Sequence, residues 1–182
     1  MVAKHERLDE YGYETWEENT FPLAYLLTFR TFGTWLPGDE RTSVKRDGWN
    51  TYGHHHYPQN KTLEKWMAEE MNQRPFILND QMRVVVDAAV RELCRKRGFP
   101  LHAVNVRTNH AHTVVSAAQK PERIVDALKA NGTKFLREAG LIGAGAKVWS
   151  RGRSRRYLWK PRHVQAAIEY TLYGQGDIVL PD

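Results

Sequence analysis

At 182 residues the chain has the length of one domain with a real core and falls short of a typical pair of domains. A hydrophobic fraction of 41% with 11% aromatics excludes a wholly disordered chain, and no apolar run approaches the length of a bilayer span. The formal net charge of +6 favours a polyanionic partner and excludes nothing about the fold.

In chain order, residues 1–20 read as a polar arm in which acidic side chains crowd together (Glu6, Asp9, Glu10, Glu14, Glu17, Glu18), with no charged-then-apolar leader. Residues 21–182 then read as a single domain. The stretch 23–32 is almost continuously apolar or β-favouring and predicts a central strand buried on both faces. After the turn signal Pro37-Gly38-Asp39 the pattern dissolves into a polar, Gly- and Pro-punctuated insertion over about 40–79, with one short helix expected at 63–71. Asn79-Asp80 starts a helix whose apolar stripe (Met82, Val85, Val86, Ala89, Val90, Leu93, Cys94) recurs at three-and-four spacing until Gly98. Cys94 is the single cysteine, so no internal disulfide forms, in keeping with a cytoplasmic protein. Strands follow at 100–107 and 110–116, close enough for a hairpin. A helix runs from Pro121 to Ala139, a glycine-rich loop covers 141–154, a short strand takes 156–160, and a last helix spans 161–173. The order predicts an α+β sandwich, with helices on one face of a largely antiparallel sheet and a site on the other.

Two features carry chemistry. Basic residues crowd 147–162 (Lys147, Arg151, Arg153, Arg155, Arg156, Lys160, Arg162), interleaved with Trp149, Tyr157 and Trp159, a composition suited to phosphates and unpaired bases. His110-Ala111-His112 falls on a predicted strand, where residues two apart share a face about 7 Å apart along the chain. Such a pair can hold one divalent ion; imidazole suits Mn²⁺ at least as well as Mg²⁺. A histidine-triad hydrolase needs a third alternating histidine, and position 114 is Val; a two-histidine phosphoesterase needs His-x-Thr, which occurs nowhere. The run His54-His55-His56 lies in the irregular insertion, where consecutive side chains diverge.

Four blocks, Gly33-Thr34-Trp35-Leu36-Pro37-Gly38-Asp39, Asn109-His110-Ala111-His112, Arg156-Tyr157-Leu158-Trp159 and Tyr170-Thr171-Leu172-Tyr173-Gly174-Gln175, together resemble the single-tyrosine HUH transposases, in particular the REP-associated tyrosine transposase branch. The resemblance covers about 23–176. It implies a ferredoxin-like sheet with the histidines on its central strand, and a catalytic tyrosine on a C-terminal helix across that face. It implies single-stranded DNA carrying hairpin or palindromic elements as substrate, with Mg²⁺ or Mn²⁺ as cofactor. His110 and His112 then correspond to metal ligands and Tyr170 to the nucleophile. The Asn or Gln that the family commonly places four residues after that tyrosine is Gly174 here, and Gln175 follows one position later. Lys147, Arg151, Arg153, Arg155, Arg156, Trp159, Lys160 and Arg162 are the expected DNA contacts.

Helical spacing sets Tyr170 on the flank of the last helix's apolar stripe (Val164, Ala167, Ile168, Thr171, Leu172) and Tyr173 almost opposite it. A phenol ionises near pH 10, so attack near neutrality requires a polarised phosphate. Other readings remain open at the level of sequence: a catalytically inactive hairpin-DNA-binding regulator, a replication-initiator or relaxase-type HUH nuclease, and an RNA-processing nuclease. So does the choice between a monomer and a homodimer with shared sites.

Overall fold

The computed structural model describes residues 21–36, 59–71 and 73–174, together with the backbone of four two-residue strands. Those four are β1 (Arg7–Leu8) and β2 (Glu14–Thr15), which pair with each other, and β4 (Ser43–Val44) and β5 (His56–Tyr57), likewise a pair. The other elements are β3 (Ala24–Thr31), α1 (Lys61–Glu69), α2 (Asp80–Arg97), β6 (Leu101–Val106), β7 (His110–Val115), α3 (Pro121–Glu138), β8 (Trp149–Leu158) and α4 (Pro161–Tyr173). Apart from the β1–β2 pair within the acidic arm, the expectations for that arm, for Pro37-Gly38-Asp39, for His54-His55 and for Gln175 lie outside the described residues.

The main sheet has the order β6-β7-β3-β8 with every neighbouring pair antiparallel. From β3 the chain crosses by α2 to the edge strand β6, returns by a hairpin into β7, then crosses by α3 to the opposite edge at β8. This split βαβ arrangement is the ferredoxin-like sandwich, and it makes β7 a central strand. Local signals set the helix ends. The Asn79 side chain accepts from the Met82 N–H at 2.9 Å, and Gly98 closes α2 in the left-handed conformation at φ 64°. Pro121 and Pro161 open α3 and α4, where a missing N–H costs nothing.

Strand alternation sorts side chains between two faces. Tyr25, Leu27 and Phe29 of β3, Val104 and Val106 of β6, and Ala111 and Val115 of β7 join Val86, Val90 and Cys94 of α2 and Ile124, Leu128 and Leu136 of α3 in the main core. Each fully buried Leu or Phe contributes roughly 1.5–3 kcal/mol of transfer free energy. Trp149 extends this core: its ring meets Phe29 edge-on at 5.1 Å, and its indole N–H donates to the Lys129 carbonyl at 2.9 Å. That approach explains a glycine in the middle of α3, because a Cβ on Gly132 would stand 3.2 Å from the Trp149 ring. The second face carries a smaller cluster in which Ala24, Leu26, Ala103, Val114 and Leu158 are covered by Val164, Ala167, Ile168 and Leu172. The sheet is therefore covered on both sides: α2 and α3 take one face, and α4 lies on the other, which the helix-on-one-face reading had left to the site alone.

The largest departure from the sequence reading is β8. A loop was expected at 141–154, yet Trp149–Leu158 is a ten-residue strand. Its Gly, Ser and Arg residues have weak strand preference, but β3 templates them through consecutive pairs from Ala24↔Leu158 to Phe29↔Arg153. The irregularity between Phe29 and Thr31 is fastened from α3, where Lys129 Nζ donates to the carbonyls of Ser150 and Gly152, each at 2.9 Å.

Candidate active site

On β7 the core-facing residues are Ala111, Thr113 and Val115, so His110, His112 and Val114 project to the face that carries α4. The register brings Thr28 of β3 and Asn105 of β6 level with His112, and Arg30 level with His110. The two imidazoles lie close, with ring centroids 4.7 Å apart and planes at 82°. Tyr170 of α4 comes down beside them: its ring is 5.6 Å from that of His112, again edge-on. His112 is 6% exposed while Tyr170 is 47% exposed, so the tyrosine lies between a buried imidazole and solvent.

Both histidines are oriented through Nδ1. That atom of His110 is 2.6 Å from Asn109 Oδ1, an acceptor, and in the tautomer that donates there Nε2 is the nitrogen able to bind a metal. His112 Nδ1 is 2.7 Å from the Thr28 hydroxyl. Two imidazoles fixed at Nδ1 and paired on one face are a suitable donor set for a divalent cation at Nε2, with outer partners of the kind that hold metal-ligating histidines. Among the described residues no third His, Cys, Asp or Glu joins them. Asn105 fastens the tyrosine helix next to this pair. Its buried side-chain amide donates to the Thr171 carbonyl at 2.8 Å, one residue beyond Tyr170. Gly174 packs under the same tyrosine, where a Cβ would come within 3.0 Å of ring Cδ2 and 2.9 Å of the Tyr170 carbonyl oxygen. Tyr173 is 75% exposed.

The basic run is divided by the alternation of β8. Arg153 and Arg155 face the helices: Arg153 Nη1 lies 2.7 Å from Asp126 Oδ1, and Arg155 Nη1 lies 2.5 Å from Glu122 Oε1, both acids on α3. Trp159 is buried and stacks on Tyr157 at 6.3 Å, and Lys160 is buried at the start of α4. These four expected DNA contacts are thus drawn into the fold. Arg156, level with Leu26 on the histidine face, is exposed, as are Lys147, Arg151 and Arg162. Sequence reasoning missed Thr28, Asn105, Asn109 and Arg30. Asn109 adjoins the histidine pair and could have been found; the others are revealed only by strand register.

No match was found among curated proteins. Two solved structures match this chain. One is a candidate transposase from Deinococcus radiodurans R1, at 15% identity and TM-score 0.47, covering 90% of this chain and 98% of that one. The other is a REP-associated tyrosine transposase bound to a REP hairpin, at 11% identity and TM-score 0.44, covering 96% of this chain and 72% of that one. The family described as transposase IS200 like matches residues 68–165, a span from α1 into α4 that holds the histidine strand and more than half of the sequence. The chain belongs to the IS200-like transposase family.

Proposed function

We propose that this transposase-family protein is a metal-dependent single-stranded DNA endonuclease and strand transferase. Its nucleophile is Tyr170, its metal ligands are His110 and His112, and its substrate carries hairpin or palindromic elements. The observation that carries this reading is the meeting of three rings on one sheet face, 4.7 Å between the histidines and 5.6 Å from His112 to Tyr170. A phenol hydroxyl beside a paired-imidazole site has the parts for phosphodiester transesterification and lacks those of the histidine-triad or two-histidine hydrolases.

Held by Nε2 of His110 and His112, Mg²⁺ or Mn²⁺ would supply Lewis-acid polarisation of a phosphate. The protein's own groups do the rest. Tyr170 Oη gives up its proton to solvent as it attacks phosphorus, and the bond from phosphorus to the 3′ oxygen breaks. That oxygen takes up a proton and leaves as a 3′ hydroxyl, so no proton is gained or lost overall. The 5′ end stays as a phosphotyrosine diester. One phosphoester bond replaces another, so a 3′ hydroxyl can reverse the step and join strands without a nucleotide cofactor. Asn105 holds α4 in register for the attack, while Thr28 and Asn109 hold the imidazoles. Arg151, Arg156, Arg162 and Lys147 remain as solvent-facing cations for the DNA backbone.

The test is to incubate end-labelled single-stranded DNA bearing a palindromic repeat with the protein and Mn²⁺, then denature. A covalent adduct is expected, abolished by EDTA, by His112→Ala and by Tyr170→Phe. A Tyr170→Phe protein that still becomes labelled overturns the assignment.

A further inference from the structure

Beyond Tyr170, the histidine pair has a second neighbour that the reaction as described does not use. Arg30 is level with His110 across β3 and β7, on the same face, and its guanidinium lies over the indole of Trp35 at 3.2 Å from the ring centroid. Both side chains are partly exposed. Tyr170 borders the pair at His112, towards the end of the sheet that α4 covers, and Arg30 borders it at His110, towards the opposite end.

The turn that presents Trp35 is tightly fixed. The Thr31 N–H and hydroxyl both donate to the Asn109 carbonyl, at 2.9 and 3.1 Å, and the Thr34 hydroxyl donates to the Thr31 carbonyl at 3.1 Å. Phe32 is held on both sides, its N–H by the Val148 carbonyl and its own carbonyl by the Phe76 N–H. Gly33 takes φ 71°, and a Cβ there would stand 2.8 Å from Met71 Sδ and 3.1 Å from Pro75 Cα. The turn is thus fastened to Asn109, the residue that also orients His110. Rigidity of this kind is expected of a surface that must meet a ligand in one geometry.

We infer that Arg30 and Trp35 form a nucleotide-binding wall of the active site, taking the base and phosphate next to the scissile linkage of a single strand; this rests on the proposed single-strand cleavage. Stacking occupies the flat face of a guanidinium, while its N–H donors lie in the plane, the geometry for a phosphate at its edge. An indole accepts an unpaired base with little regard to sequence. With Tyr170 on one side of the histidines and this wall on the other, the strand would cross the pair.

The test needs no cleavage and is made in EDTA with two probes. One is an oligodeoxythymidine of about 20 nucleotides, longer than the roughly 4–16 nucleotides a single-strand groove covers. The other is an abasic strand of equal length and charge. Trp35→Ala should weaken binding of the first about tenfold and leave the second unchanged, and Trp35→Phe should restore most of the loss. Arg30→Gln should weaken both. A folded Trp35→Ala protein that binds both probes as the wild type does, or loses affinity equally for both, overturns the inference. The wild-type protein gives a second measurement: irradiated on a 5-iodouracil-substituted strand, it should cross-link through Trp35, and cross-links confined to other peptides also overturn the inference. The adduct assay decides cleavage separately. Trp35-dependent binding without a Tyr170 adduct would fail the catalytic reading alone, and an adduct with unaltered Trp35→Ala binding would fail this inference alone.

Discussion

The two faces of the main sheet are built from alternate residues of the same strands, yet they are finished differently. On the α2–α3 face, apolar side chains interlock and the arginines of β8 are matched by acids: Arg153 with Asp126, Arg155 with Glu122. On the α4 face, apolar packing stops partway along, at Ala24, Val114 and Leu158, and gives way to Thr28, Asn105, His110, His112 and Arg30. One face is closed upon itself; the other is left polar where a substrate would lie. Period-two alternation therefore lets β7 place Ala111 in the core and His110 and His112 in the site with no loop between them.

The sharpest way to break this contrast is at Tyr170. Tyr170→Phe should lower DNA cleavage by on the order of 10⁴-fold, as expected for loss of a nucleophile, while leaving the half-exposed position's stability within about 0.5 kcal/mol. The opposite face should respond the other way. Phe29→Ala, at a fully buried ring, should cost about 3–5 kcal/mol in denaturant unfolding and abolish activity only by unfolding the protein. Between these lies Asn105, buried on the site face and joining sheet to helix. Asn105→Ala should slow cleavage by up to about 100-fold through misplacement of Tyr170, with DNA affinity retained in a binding titration. Mixing His112→Ala with Tyr170→Phe protein should restore no cleavage, because Tyr170 lies beside its own chain's His112; recovery would mean that α4 exchanges between copies. The smallest effect separates neighbouring arginines. Arg156→Ala should reduce the salt dependence of single-strand binding by about 0.7 in logarithmic slope, whereas Arg155→Ala should leave that slope unchanged and lower stability in denaturant unfolding instead, because it breaks the partly buried pair with Glu122.

Much of this was legible in the sequence because it depends on short-range physics. The capped, amphipathic α2, the proline-started α3 and α4, the apolar β3 and the His-x-His strand all declare themselves through periodicity and end signals. The flank position of Tyr170 on α4 followed from helical geometry. What was not legible depends on register. Nothing local places Thr28 beside His112 or Asn105 beneath Thr171, since these neighbours meet only when β3, β6 and β7 align. The same holds for β8, whose strand state comes from β3 and not from its own residues. It also holds for the basic run: Arg155 and Arg156 are alike in composition, and strand phase alone assigns one to an ion pair and the other to the site face.

The central claim, that Tyr170 attacks the phosphodiester beside His110 and His112, is tested most directly by digesting the protein–DNA adduct formed in Mn²⁺ and sequencing the modified peptide by mass spectrometry. A nucleotide phosphate on Tyr170, absent after His112→Ala, is the predicted result. A modification on Tyr173, or on any residue away from the histidine face, would contradict it.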